Sequence, residues 1–234
     1  MTLRLESVSR HFSVGGETVR AVDDVSLQIE RGELIALYGP SGSGKSTLLL
    51  IAAGLEAPDR GAVTWDGEPV PLSGRGADRW RRETLGVVLQ QPQLVEGVPL
   101  HRSAGLRLEA RGMRRSQARL AGIRALKEVG LGHRLDHRPD QLSIGQRQRA
   151  AIARALTTDP ALILADEPTG NLDSHTSGQI IDLLDGLAHE RDRAVLIVTH
   201  DPQLAHRADR ILRLDDGRLT ELAEEDADDL TPMP

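Results

Sequence analysis

Residues 39–47, GPSGSGKST, put three glycines, one lysine and four hydroxyl side chains into nine positions. The spacing is G-x-x-x-x-G-K-[ST], from Gly39 through Pro40, Ser41, Gly42, Ser43 and Gly44 to Lys45 and Ser46. Glycines let backbone N–H groups converge on phosphate oxygens, and a following helix adds its positive N-terminal end. Lys45 is then placed to reach the β and γ phosphates of a nucleotide. The Ser46 hydroxyl suits Mg²⁺, and Thr47 suits a more distal phosphate. The chain has only one other lysine, Lys127, so half of its lysines stand in this loop.

Phosphate transfer needs an acid to position the metal. The stretch ALILADEPTGNLDS supplies Asp166 and Glu167 directly after an apolar run. Asp166 suits the Mg²⁺ shell, and Glu167 can take a proton from an attacking water. His200 ends a second apolar run, AVLIVTHDP, where it can bridge the γ phosphate and that water as a donor. Gln90 follows LGVVL and offers an amide oxygen to Mg²⁺ or water. Ser143-Ile144-Gly145-Gln146 has the S-x-x-[EQ] pattern of a capping box, ahead of a helix running to about Thr158. A helix start of this kind is also an anion site.

These groups need strands and helices to hold them. Leu34 to Tyr38 reads as a buried strand before the glycine loop, and a helix follows the loop. Residues 2–35 and 60–72 alternate apolar and polar, with turns at VGGE, ERGE and WDGE, and predict an antiparallel sheet. Residues 91–158 read as mostly helical. Arginines 102, 107, 111, 114, 115, 119 and 124 in that stretch mix with Glu109 and Glu128, the pattern of a solvated face. From Glu221 the chain becomes acidic and proline-bearing, which predicts a disordered tail over 221–234.

Composition sets limits. The 234 residues suit one sizeable domain or two packed lobes. Net charge is −6, which argues against a general nucleic-acid binder. Without cysteine, disulfides and thiolate metal sites are excluded. The N-terminus has no signal-peptide pattern, and no apolar run approaches the roughly 18 residues of a membrane helix. Any membrane role is therefore expected through a partner.

In this order, six motifs resemble the ATP-binding subunits of ABC transporters over about residues 2–220. They are the phosphate loop GPSGSGKST, the glutamine loop VVLQQPQL, the signature LSIGQRQRAAIARAL, the magnesium strand LILADEPT, the loop GNLD ending in Asp173, and the switch VTHD. The resemblance implies an α/β P-loop NTPase (RecA-like) core with an antiparallel β subdomain and an α-helical signature subdomain. It implies ATP and Mg²⁺ as cofactors, and two subunits that sandwich two ATP molecules head to tail. Ser143 and Gly145, with Gln146 beside them, then face the γ phosphate held by the opposite subunit. Phe12 matches the family's adenine-stacking aromatic, and the chain has only two tryptophans, one tyrosine and one phenylalanine.

Ile144 departs from the family, which usually has glycine there. Its branched side chain disfavours φ > 0 and adds bulk where two subunits close. The expectation is slowed closure and lowered basal hydrolysis. The segment VEGVPLHRSAG also lacks the acidic-asparagine pattern common after the glutamine loop.

VGGETVRAVDDVSL together with DEPTGNLDS looks like the branch serving lipoprotein release, macrolide or peptide export and cell-division complexes. Those membrane partners have four membrane helices and a large extracytoplasmic domain, and the ATPase sits on the cytoplasmic face of the membrane. The resemblance leaves open an importer ATPase, for example for polar amino acids, and a mechanical relay to a cell-envelope enzyme. An ABC-type ATPase acting on ribosomes or DNA generally carries two cassettes or long coiled coils, and neither pattern occurs in this chain.

Overall fold

The structure, a computed structural model, describes residues 1–223 and residue 230. An antiparallel sheet runs in the order β2-β1-β4-β5, from β1 (Thr2–Val14), β2 (Glu17–Glu30), β4 (Arg60–Trp65) and β5 (Glu68–Pro69). Within it β1 pairs with both β2 and β4, and its register against β2 breaks between Leu5 and Val8, Val8 and Arg10, and Arg10 and His11. Such irregularities bend a strand and re-aim its side chains.

The second sheet has the order β10-β9-β3-β8-β7-β6. Here β3 (Leu34–Tyr38), β6 (Leu85–Val88), β7 (Leu162–Asp166), β8 (Ala194–Thr199) and β9 (Arg210–Asp215) are parallel, and β10 (Arg218–Glu221) pairs antiparallel at the edge. Every residue of β3 and β8 is buried. That is why both read as unbroken apolar runs, since parallel strands are covered on both faces.

Helix α1 (Lys45–Ala52) packs between the two sheets, with Leu48 and Ile51 fully buried against Leu37, Leu164 and Val198 of the parallel sheet. Truncating Leu48 to alanine costs about 2–5 kcal/mol at such a site. Helix α2 (Gly74–Thr84) lies before β6. The stretch from β6 to β7 is helical: α3 (Leu100–Ser103), α4 (Leu106–Glu109), α5 (Arg115–Glu128), a 3₁₀ turn (Pro139–Gln141) and α6 (Ile144–Leu156). Helix α7 (Ser174–His189) and the short α8 (Pro202–Ala205) complete the chain's helices among the described residues. A second core joins Leu126 of α5 and Ile152 of α6 to Ile180 and Leu184 of α7 and Ile163 of β7.

This is an α/β P-loop NTPase core carrying an antiparallel β subdomain and a helical one. Glu221, where the acidic tail was expected to open, instead closes β10 and pairs with Arg210 at 2.8 Å. Residues 224–229 and 231–234 of that tail lie outside the described residues. No helix among the described residues is long and apolar enough to cross a membrane.

Candidate nucleotide-binding cleft

In open parallel sheets, ligands bind beyond the carboxyl ends of the strands. The candidate residues collect there. The loop 39–44 follows β3, Gln90 follows β6, Asp166 ends β7 with Glu167 directly after it, and His200 follows β8. A cleft of about 580 Å³ is lined by Phe12, Ser41, Gly42, Gly44, Lys45, Ser46, Thr47, Gln90, Asp166, Glu167 and His200, with Ala21 and Val198.

The glycine loop enters α1 without a side-chain cap. Gly44 is the N-cap, with φ of 103°, and a β-carbon there would collide with the Ala21 carbonyl. Only glycine permits this approach. Lys45 is 8% exposed, and its Nζ donates to the carbonyls of Gly39 and Pro40 at 2.7 Å each. Burial lowers its pKa, while Glu167 and Asp166 pull the other way. Gly39, Pro40 and Ser43 lie outside the cleft lining, and the first two hold Lys45 through their carbonyls. The Ser43 hydroxyl is buried and makes no hydrogen bond.

Ser46 Oγ lies 3.5 Å from Asp166 Oδ2. Burial raises the Asp166 pKa, and Glu167 next to it adds to that rise. A divalent cation between them would favour the ionised form, by the opposite sign of charge. The donors Ser46, Asp166 and Gln90 are all oxygen-bearing and share the cleft. Among the described residues no cluster of three His, Asp or Glu side chains could hold a metal alone. This partial oxygen set fits Mg²⁺, which binds through one or two protein oxygens together with substrate phosphates.

Glu167 adopts φ of 46°, a left-handed backbone that costs a non-glycine residue about 1–3 kcal/mol. Its N–H donates to the Val198 carbonyl at 2.9 Å, so β8 holds it there. His200 Nδ1 approaches Glu167 Oε2 to 2.8 Å, out of line for a hydrogen bond. Gln90 stands by Gly170, close enough that a β-carbon there would touch its Nε2. Phe12, part-buried on β1, lines the far end of the cleft with one neighbour that sequence reasoning missed. The Arg10 guanidinium lies 4.8 Å from the ring centroid. Strand alternation alone does not give this contact, because the register of β1 against β2 shifts between Arg10 and His11.

Ser143, Gly145, Gln146 and Asp173 lie outside the cleft lining. Ser143 caps α6 in a full capping box: its Oγ accepts the Gln146 N–H at 3.3 Å, and Gln146 Oε1 accepts the Ser143 N–H at 3.2 Å. A β-carbon on Gly145 would overlap the Thr176 γ-methyl, so glycine lets α6 meet α7. Asp173 caps α7, accepting the Thr176 N–H at 3.0 Å and its hydroxyl at 2.8 Å. Those bonds, the backbone one first, depress its pKa.

Ile144 is the first residue of α6 and is not among the residues with positive φ, so its branched side chain meets no left-handed backbone there. Its side chain is 49% exposed. What remains of the argument is bulk on an open face.

The family model described as "ABC transporter" matches residues 22–170. The chain is 43% identical to the lipoprotein-releasing system ATP-binding protein LolD of Chromohalobacter salexigens, over 94% of this chain and 93% of that protein. It is 40% identical to macrolide export ATP-binding/permease protein MacB 2 of Yersinia pestis bv. Antiqua, over 93% of this chain but 32% of that protein. A dimeric ATP-binding cassette in a post-hydrolysis state, bound to ADP and Pi, superposes with a TM-score of 0.84 at 37% identity, covering 94% of this chain and 99% of that one. With the phosphate loop, the paired acids and the capped signature helix in place on this fold, the chain belongs to the ABC transporter family.

Proposed function

We propose that the chain is the ATP-binding subunit of a transporter of the lipoprotein-release and macrolide-export type, and that it hydrolyses ATP as a dimer. The observation that carries this is the division of the site. Phe12, Lys45, Ser46, Gln90, Asp166, Glu167 and His200 share one cleft, whereas Ser143 and Gly145 sit outside it. A second copy, docked head to tail, supplies the missing half. The relatives named above support the branch, and the dimeric cassette supports the pairing.

Lys45 and the uncapped N–H groups of α1 bind the phosphates and offset charge on the γ phosphate. Ser46, Asp166 and Gln90 would hold Mg²⁺, which when bound neutralises phosphate charge. Glu167 takes a proton from the attacking water, and His200 orients that water and the γ phosphate. Ser143 of the second copy completes the set of donors. ATP is then most valuable in the closed pair, and hydrolysis reopens it.

A second cleft of about 430 Å³ lies where the glutamine segment meets α4 and α6. Leu89 and Val95 are exposed at it, and Leu106 lines it. Arg107 and Arg154 also line it; burial lowers both pKa values, and neither forms an ion pair among the described residues. This surface suits a short cytoplasmic helix of a four-span permease, which would place the chain on the cytoplasmic face of the membrane. The test is ATP-dependent substrate movement by the subunit and its cognate permease in vesicles. Movement of substrate outward, with ATPase stimulation by the permease, supports the reading. Stimulation without movement points instead to a mechanical relay.

A further inference from the structure

The base end of the cleft has a charged scaffold that phosphate chemistry does not use. Arg10 stacks on Phe12 yet is absent from the cleft lining, so it covers a side of the ring turned from the cavity. The same guanidinium pairs with Glu56 Oε1 and Asp59 Oδ1, each at 2.6 Å. Asp59 is itself pinned: its Oδ2 accepts the His11 N–H at 2.7 Å, and its own N–H donates to the Ser9 carbonyl at 2.7 Å. Glu56 and Asp59 belong to the turn that leaves α1, and the Glu56 N–H donates to the Leu50 carbonyl of that helix. Arg10 thus touches the ring on one side and, on the other, the turn that follows the phosphate-binding helix.

A lone surface ion pair contributes little. This arrangement differs, because a planar guanidinium can span two carboxylates and still present a face to an aromatic ring. Asp59 holds the Arg10 pKa above its ordinary value, and Asp59 is depressed in turn, first by the His11 N–H and then by Arg10. The pair therefore stays ionised through neutral pH.

We propose that Arg10 is a positioning residue for the nucleotide base: it fixes the Phe12 ring as a stacking platform and ties that platform to the end of α1. Base platform and phosphate cradle then keep a set spacing, and a purine nucleoside triphosphate fits both at once. The inference rests on the reading of Phe12 as the base-stacking residue.

The experiment compares the affinity of the full chain for Mg-ATP and for Mg-tripolyphosphate, by calorimetry, in wild type, R10Q, R10K, F12A and R10Q/F12A. R10Q should weaken ATP binding about three- to fivefold and leave tripolyphosphate unchanged. Steady-state turnover should show a raised KM with kcat retained. R10K, which keeps the charge but loses the two-carboxylate span, should recover part of the loss. R10Q should add nothing in the F12A background. Equal weakening of ATP and tripolyphosphate overturns the proposal, since Arg10 would then only support the fold. Weaker ATP binding in F12A with no change in R10Q overturns it alone. Unchanged ATP binding in F12A removes the platform reading and the proposal together.

Discussion

Helices α1 and α6 both begin at points where phosphate is expected, yet their N-termini are built in opposite ways. Helix α1 starts on Gly44, with a left-handed backbone and no side-chain cap. Helix α6 starts on Ser143, whose hydroxyl and partner Gln146 satisfy each other in a reciprocal box. An uncapped N-terminus keeps its N–H groups for a ligand, and a capped one has already used part of them. The first is a permanent cradle. The second is a closed structure, and on the proposed function it shares its serine with a phosphate held by another copy. On that reading binding belongs to one chain, and completion of the site to a pair.

The strongest way to break this contrast is Glu167→Gln. Loss of the proton acceptor should cut hydrolysis by roughly 10²–10⁴-fold while leaving binding at α1 intact. ATP should then hold the dimer together, measurable by light scattering. A wild-type rate would remove Glu167 from the role of base. Ser143→Ala separates cap from ligand contact in a single variant. Loss of the cap should lower unfolding stability by about 0.5–2 kcal/mol. Loss of a hydrogen bond to a charged phosphate should lower ATPase activity roughly tenfold or more, with ATP affinity of the isolated monomer unchanged. A stability loss alone would make α6 a merely structural start.

Gly145→Ala sharpens the contrast from the packing side. The added methyl meets Thr176 and should cost about 1–3 kcal/mol in urea unfolding. Pairing it with Thr176→Ala should recover part of that loss. Ile144→Gly should lower stability by about 0.5 kcal/mol, through helix propensity, and raise turnover by clearing bulk from the closing face. An unchanged or lower turnover rejects the steric argument. The smallest effect concerns Asp173. A carboxylate with depressed pKa stabilises the fold above its unfolded value and loses that contribution as pH falls through its folded one. The stability difference between wild type and Asp173→Ala should stay flat from pH 5 to 8 and shrink below about pH 4. Thermal melts across that range test it.

The α1 half of the site was legible because its chemistry is local. Strand, loop and helix follow one another in the chain, and Asp166, Glu167 and His200 each mark a strand end. The Ser143 box was equally visible, since capping is a contact between neighbours. Long-range packing was not. The reason Gly145 must be glycine is Thr176, thirty-one positions on, and nothing in LSIGQ announces it. Arg10 meets Asp59 only because β1 is bulged and the turn after α1 returns beside it. That Ile144 sits on a helical backbone, with no left-handed φ to strain it, was already implied by the capping box.

The strand order carries a consequence for quiet positions in the core. Strand β8 lies between β3 and β7, so Ser46 and Asp166 reach toward each other across its end. Backbone ladders hold neighbouring strands about 4.8 Å apart whatever side chains they carry, so the two oxygens sit on a ruler two strands wide. A proline at Ile197, buried in β8 and paired with Ala36 and Ala165, would cut that ladder. Its first symptom would be an altered appetite for magnesium, surfacing far from any group that touches the ion.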